Sequence, residues 1–198
     1  MTNANEPAMA ETRKRSAPKA VKPGLGGWRK ELWDWAKALI IALIVVLLLR
    51  TFVFQLSTVQ KMSMEPTLRH NEWLLVNKIA LRLGSLERGD VVVLKEPGVE
   101  RKEYLVKRIV AIPGDTLEIR DGELYINGEL KVESYTDSKI ENGDFAPVTI
   151  SPGHYFVLGD NRRLNASKDS RQFDEVPEEL IEGRADLIVW PITRWARL

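Results

Sequence analysis

A serine hydroxyl does not attack carbonyls at neutral pH unless a neighbouring group takes its proton, and this chain offers few groups for the task. It has no cysteine and two histidines, His70 and His154. A thiolate nucleophile, disulfides and thiolate metal sites are thereby excluded. Neither His has neighbours that suggest a zinc site or a Ser-His-Asp triad, so both read as surface or packing residues. What remains as a base is a carboxylate or a lysine held neutral. Ser63 stands in Met62-Ser63-Met64-Glu65-Pro66-Thr67-Leu68, and Lys107 in Tyr104-Leu105-Val106-Lys107-Arg108-Ile109-Val110-Ala111. Side chains alternate along a strand, so Leu105, Lys107, Ile109 and Ala111 share one face and Arg108 takes the other. Aliphatic neighbours desolvate the ammonium, and full burial lowers a Lys pKa by roughly 3 to 5 units from about 10.4, which makes a base near pH 7 to 8. Each residue alone also has a plainer reading: Ser63 as a turn serine before Pro66, and Lys107 as a strand-end lysine whose amine reaches water.

The elements that must position this pair follow from the patterning. Residues 1 to 31 hold seven Lys or Arg against three Glu, leaving 22 basic and 25 acidic residues for the rest. That near-neutral remainder lacks the basic face nucleic acid requires. Residues 1 to 27 have almost no large apolar side chain and read as a disordered tail. Ala38 to Leu49 is a run of twelve apolar residues, about 18 Å as a helix. A membrane span of roughly 30 Å therefore predicts a helix over Trp33 to Phe54, with Lys37 and Arg50 reaching for the headgroups and Trp28, Trp33 and Trp35 at the interface. No convincing small-x-small site follows it, so the helix reads as an uncleaved anchor. The basic tail predicts a cytoplasmic N-terminus and a working domain across the membrane.

Beyond the anchor, short β-type runs predict strands at 74–76, 91–94, 104–112, 117–119, 124–126 and 155–158. Asp121-Gly122 and Asn127-Gly128 are two-residue hairpin signals, and Gly89-Asp90, Pro113-Gly114-Asp115 and Pro152-Gly153 mark further turns. A short helix is expected over Pro177 to Gly183 and a final strand over Ile188 to Ile192. The expected organisation is a basic cytoplasmic tail (1–31), a transmembrane helix (32–56) and one mainly β domain of coiled antiparallel sheets (57–198).

In order and wording these segments resemble type I signal peptidases over residues 33 to 195. The resemblance rests on Ser63-Met64-Glu65-Pro66-Thr67-Leu68, Arg88-Gly89-Asp90-Val91-Val92-Val93, Tyr104 to Asp115, and Gly159-Asp160-Asn161-Arg162 followed by Ser167-Lys168-Asp169-Ser170-Arg171. It implies a Ser-Lys dyad of Ser63 and Lys107, with Ser167 hydrogen-bonding and orienting the Lys107 amine. It also implies a single-pass protein of the plasma or inner membrane that cuts exported precursors after small-x-small sequences, without cofactor or metal. The precursor is expected as an extended strand along Val59, Met64, Leu105 and Val106, and Arg108, Asp160, Asp169 and Arg171 as a charged framework. Membrane lipid is the other expected partner, and the protein is expected to act as a monomer. Two departures stand out. The family has Gly or Ser two residues before the nucleophile, where this chain has Lys61, a cation that either crowds the site or assists the oxyanion; and four residues, Arg163 to Ala166, separate Arg162 from Ser167 where two are usual. A catalytically silent paralogue that binds export substrates is the alternative reading that Lys61 favours. A self-cleaving Ser-Lys repressor-type protease shares the dyad, but would be soluble and carry a DNA-binding or regulatory segment in place of the anchor.

Overall fold

Twelve apolar residues in a row leave a helix no polar side to turn to water, and Ala38 to Leu49 lies inside helix α1 (Gly27–Phe52). The structure, a computed structural model, describes residues 27–84, 86–99, 103–141 and 143–198; nearly all of the expected basic tail falls outside them. The 26 residues of α1 rise about 39 Å, enough to cross a bilayer's hydrocarbon. Leu39, Leu43 and Leu47 are 72%, 58% and 52% exposed, so no protein core accounts for their apolar character. The helix starts before the expected Trp33 and takes in Trp28, and it stops two residues early because Phe54 opens a strand. The chain divides between Leu43 and Ile44 into two compact units.

The second unit is mainly β. Its strands are β1 (Phe54–Thr58), β2 (Trp73–Asn77), β3 (Val91–Lys95), β4 (Tyr104–Ala111), β5 (Thr116–Arg120), β6 (Glu123–Ile126), β7 (Glu129–Leu130), β8 (Phe145–Thr149), β9 (His154–Leu158), β10 (Val176–Pro177), β11 (Ile181–Trp190) and β12 (Ala196–Arg197). Two single-turn helices, α2 (Ala80–Leu83) and α3 (Ser170–Phe173), interrupt them. One sheet runs β1-β2-β11-β3-β4-β9-β10 with β12 beside β11, and a smaller one runs β7-β6-β5-β8. All the pairings are antiparallel. Asp121 and Gly122 (φ 54° and 74°) close β5 onto β6, and Asn127 and Gly128 (55° and 81°) close β6 onto β7. Both are the left-handed pairs that two-residue hairpins require.

Three apolar clusters make the core. Leu117, Ile119, Leu124 and Ile126 of the small sheet pack on Val110, Ala111, Phe156 and Leu158 of the large one. Leu105 and Ile109 pack with Val92, Leu94 and Val157. Met64 and Leu68, which bracket the Pro66 turn, sink among Val59, Leu74, Val76 and Val91. Each such buried side chain contributes about 1.5–3 kcal/mol, so the loop bearing Ser63 is pinned from both ends.

Some expectations fail for local reasons. Of Pro177 to Gly183 only Glu178–Leu180 is helical, as one 3₁₀ turn; Ile181 already begins β11, and the expected last strand is the end of that long one. The register of β4 on β9 shifts between Ile109 and Ala111, so Ala111 leaves the cluster around Leu105 and joins that of the small sheet. β8 carries Pro147, a residue that argues against a strand, but it lies on the sheet's edge, where Pro is tolerated.

Candidate active site

The Ser63 loop and β4 meet because Met64 and Leu68 anchor one while β3 and β9 flank the other. At the junction Lys107 Nζ lies 2.7 Å from Ser63 Oγ. Ser63 is 8% exposed and Lys107 1%, so the amine does not reach water as a strand-end lysine would. Burial pushes the Lys107 ammonium down to about pKa 8; Asp169 and Asp160 pull it up, while Lys61 and Arg171 push it further down. A good part of the amine is therefore neutral at mildly alkaline pH and within reach of the hydroxyl proton. Among the described residues the Ser63 N–H meets no hydrogen-bond acceptor, which leaves it free for an oxyanion.

The turn after β9 holds this pair in place. Asn161 donates its backbone N–H to Ser63 O (3.0 Å) and its Nδ2 to Met62 O (3.1 Å). Asp160, fully buried, accepts from Arg108 Nε (2.9 Å), Arg108 Nη2 (2.7 Å) and Thr67 Oγ1 (2.6 Å). Asp169 accepts from Arg171 Nε (2.8 Å) and Nη2 (2.7 Å) and from Gly159 N (3.1 Å). Burial alone would raise the Asp169 carboxyl, but the Arg171 hydrogen bond and charge, with the Gly159 N–H, carry it below its ordinary value. The four expected framework residues thus form two buried ion pairs, one of them tied to the Ser63 loop through Thr67.

Ser167 is buried near the pair, yet its hydroxyl makes no hydrogen bond, so the expected bond to Lys107 is not formed here. The longer loop before it is held elsewhere: Arg163 pairs with Asp137 (3.0 Å) and Leu164 N donates to Glu141 Oε2 (2.9 Å). Gly159, Asn161 and Thr67 were not singled out from sequence, although all three stand inside the motifs carrying the resemblance.

Gly159 is a wedge. A Cβ built on it would lie 2.3 Å from Ser167 Oγ and 2.4 Å from Ser63 O, and the second clash is with backbone that moves only if Ser63 moves. Displacing a reacting group by about 1 Å costs on the order of 10²-fold. Gly159→Ala is expected to slow acylation of Ser63 by an activated ester by about that factor with the far-UV circular dichroism unchanged; intact-mass spectrometry follows the adduct, and an unaltered rate would show that the wedge can yield.

Ser63 and Lys107 open onto a groove of 670 Å³. One wall is Gln55 to Lys61 with Ser63 and Met64, the other Glu103 to Lys107, so Val59, Met64, Leu105 and Val106 all line it. β1 is the edge of its sheet, and β4 pairs with β9 only from Arg108 onward. Both walls therefore offer unpaired strand backbone, to which an extended peptide can add.

Known proteins are similar to this chain in sequence. The family model described as signal peptidase, peptidase S26, matches residues 32–190. Signal peptidase I P of Bacillus subtilis subsp. natto is 40% identical over 176 residues, covering 84% of this chain and 93% of that protein. Signal peptidase I T of Bacillus subtilis strain 168 is 37% identical over 167 residues, covering 80% and 85%. A solved structure of a signal peptidase I from Enterococcus faecalis V583 is 36% identical and covers 50% of this chain and 96% of that one, at a TM-score of 0.43.

Proposed function

The chain belongs to the signal peptidase family, peptidase S26, and from that premise we propose that Ser63 is its nucleophile and Lys107 its general base. It is a membrane-anchored serine endopeptidase that removes signal peptides from exported preproteins. The observation that carries the residue assignment is the buried 2.7 Å contact between Lys107 Nζ and Ser63 Oγ at the end of the groove. Neutral Lys107 takes the Ser63 proton as Oγ attacks the scissile carbonyl, and the Ser63 N–H receives the oxyanion. The lysine ammonium then protonates the departing amine of the mature chain. In the second half Lys107 takes a proton from water, the hydroxide attacks the ester, and Lys107 returns that proton to Ser63 Oγ as the signal peptide leaves as a carboxylic acid, which ionises in solvent.

The precursor lies as an added strand between β1 and β4, its small side chains in shallow pockets lined by Val59, Met64, Leu105 and Val106, which gives cleavage after small-x-small. Ser167 orients the base once substrate is bound, its unpaired hydroxyl being close at hand. Arg108, Asp160, Asp169 and Arg171 hold the frame. Residues 1–31 form a cytoplasmic tail, 32–56 the single span and 57–198 the catalytic domain outside the plasma or inner membrane. The protein works as a monomer against lipid, without metal or cofactor.

Full-length protein in detergent and lipid is expected to cut a precursor bearing an Ala-x-Ala site once, after the second Ala, as read from the product's new N-terminus, and Ser63→Ala to leave it whole. A chain that binds the precursor and never cuts it between pH 6 and 10 would overturn the assignment and favour the silent alternative.

A further inference from the structure

Lys61 is the cation the mechanism leaves unused. It lines the groove beside Ser63 and Lys107, two residues before the nucleophile, and it is exposed. Lys95, Lys131, Lys139 and Lys168 each pair with a carboxylate. Lys61 has no such partner among the described residues, and its field nonetheless reaches the buried amine. The other exposed charge on the groove, Glu103, stands four strand residues before Lys107 on the opposite wall, about 13 Å away along β4. A peptide with its scissile carbonyl over Ser63 therefore meets net positive charge at the bond to be cut. An exposed ammonium with no counter-ion costs little to pair, because it is not already committed elsewhere, whereas a second cation beside it is repelled.

We propose that Lys61 is a specificity-determining residue, selecting precursors with an acidic side chain immediately before or after the small residue whose carbonyl is attacked and disfavouring those with Lys or Arg there. This rests on the peptidase reading and narrows its substrates. It concerns the residue between the two small ones and the first residue of the mature chain, the two chain neighbours of the small residue that carries the reacting carbonyl.

The test is a peptide set with Asp, Asn or Lys at each of those two positions, cut by full-length wild type, Lys61→Gln and Lys61→Glu, with kcat/KM ratios compared within each enzyme so that any change in the base cancels. At one of the two positions wild type is expected to prefer Asp over Asn by about threefold and over Lys by about tenfold, the scale of a partly exposed ion pair. The preference should flatten in Lys61→Gln, invert in Lys61→Glu, and shrink in wild type at 1 M salt, where the screening length falls to about 3 Å. If Lys61→Glu does not fold, Lys61→Gln alone decides. The same order at both positions whatever stands at residue 61, with the Asn peptides still cut, overturns the role of Lys61 and leaves the peptidase intact. Failure of wild type to cut any peptide takes down both.

Discussion

Lys107→Ala and Lys107→Met are each expected to lower kcat/KM on an Ala-x-Ala precursor by about 10²–10⁴-fold, the usual worth of a positioned base. In the intact enzyme kcat/KM should rise with pH and level off above about 8, because burial holds the Lys107 amine near that value and only its neutral form accepts the Ser63 proton. Below the plateau the slope is about tenfold per pH unit. Lys61 pushes the same amine down, so Lys61→Gln should move the whole curve to higher pH. The linkage to stability runs opposite to that of a salt-bridged lysine. The folded pKa lies below the unfolded value of 10.5, so between about 8 and 10.5 the unfolded chain binds the extra proton and stability increases with pH across that window. Below pH 8 the folded state carries a buried charge, at a cost of up to about 3 kcal/mol by the size of the shift. Lys107→Met removes that cost, so the inactive variant should unfold at or above the wild-type temperature at pH 7 and lose that advantage by pH 10. A profile flat through pH 8, or a Lys107→Met protein that cuts at the wild-type rate, would remove Lys107 from the mechanism.

The residues that made this site legible are those whose chemistry is local. Asp121-Gly122 and Asn127-Gly128 announced their hairpins because only left-handed pairs close two-residue loops, and Lys107 announced burial because its neighbours on one strand face are aliphatic. What strand alternation does not encode is which element covers that face. That β4 would be covered on both sides, so that Arg108 is also buried and needs Asp160, depends on a turn more than fifty residues away. The bulge after Ile109 likewise arises from pairing with β9 and has no sequence sign. Ser167 is buried but makes no bond to Lys107, because where its hydroxyl lies depends on packing that neither its neighbours nor its spacing fixes.

Asp160→Ala should be the most damaging substitution outside the dyad. It leaves Arg108, 7% exposed, with Gly89 O (2.7 Å) and the face of Tyr135 (4.0 Å) but no carboxylate. Breaking a buried pair by removing one partner costs about 3–5 kcal/mol, which for a chain of this size lowers the melting temperature by roughly 10 °C. Detergent-solubilised full-length protein followed by Trp fluorescence would show it. The double variant Asp160→Leu with Arg108→Met removes both charges, and replacing a buried pair by apolar side chains is often neutral, so its melting temperature should return most of the way. Cleavage should not return with it. Thr67 Oγ1 donates to Asp160 at 2.6 Å, and that bond ties the turn after Ser63 to the β9 turn that also holds Ser63 O through Asn161 N; without it the Ser63 loop loses one of its polar tethers to that turn. Recovery of stability and activity together would mean that Asp160 serves only to neutralise Arg108. Stability restored with kcat still depressed would mean that the carboxylate also sets the position of Ser63.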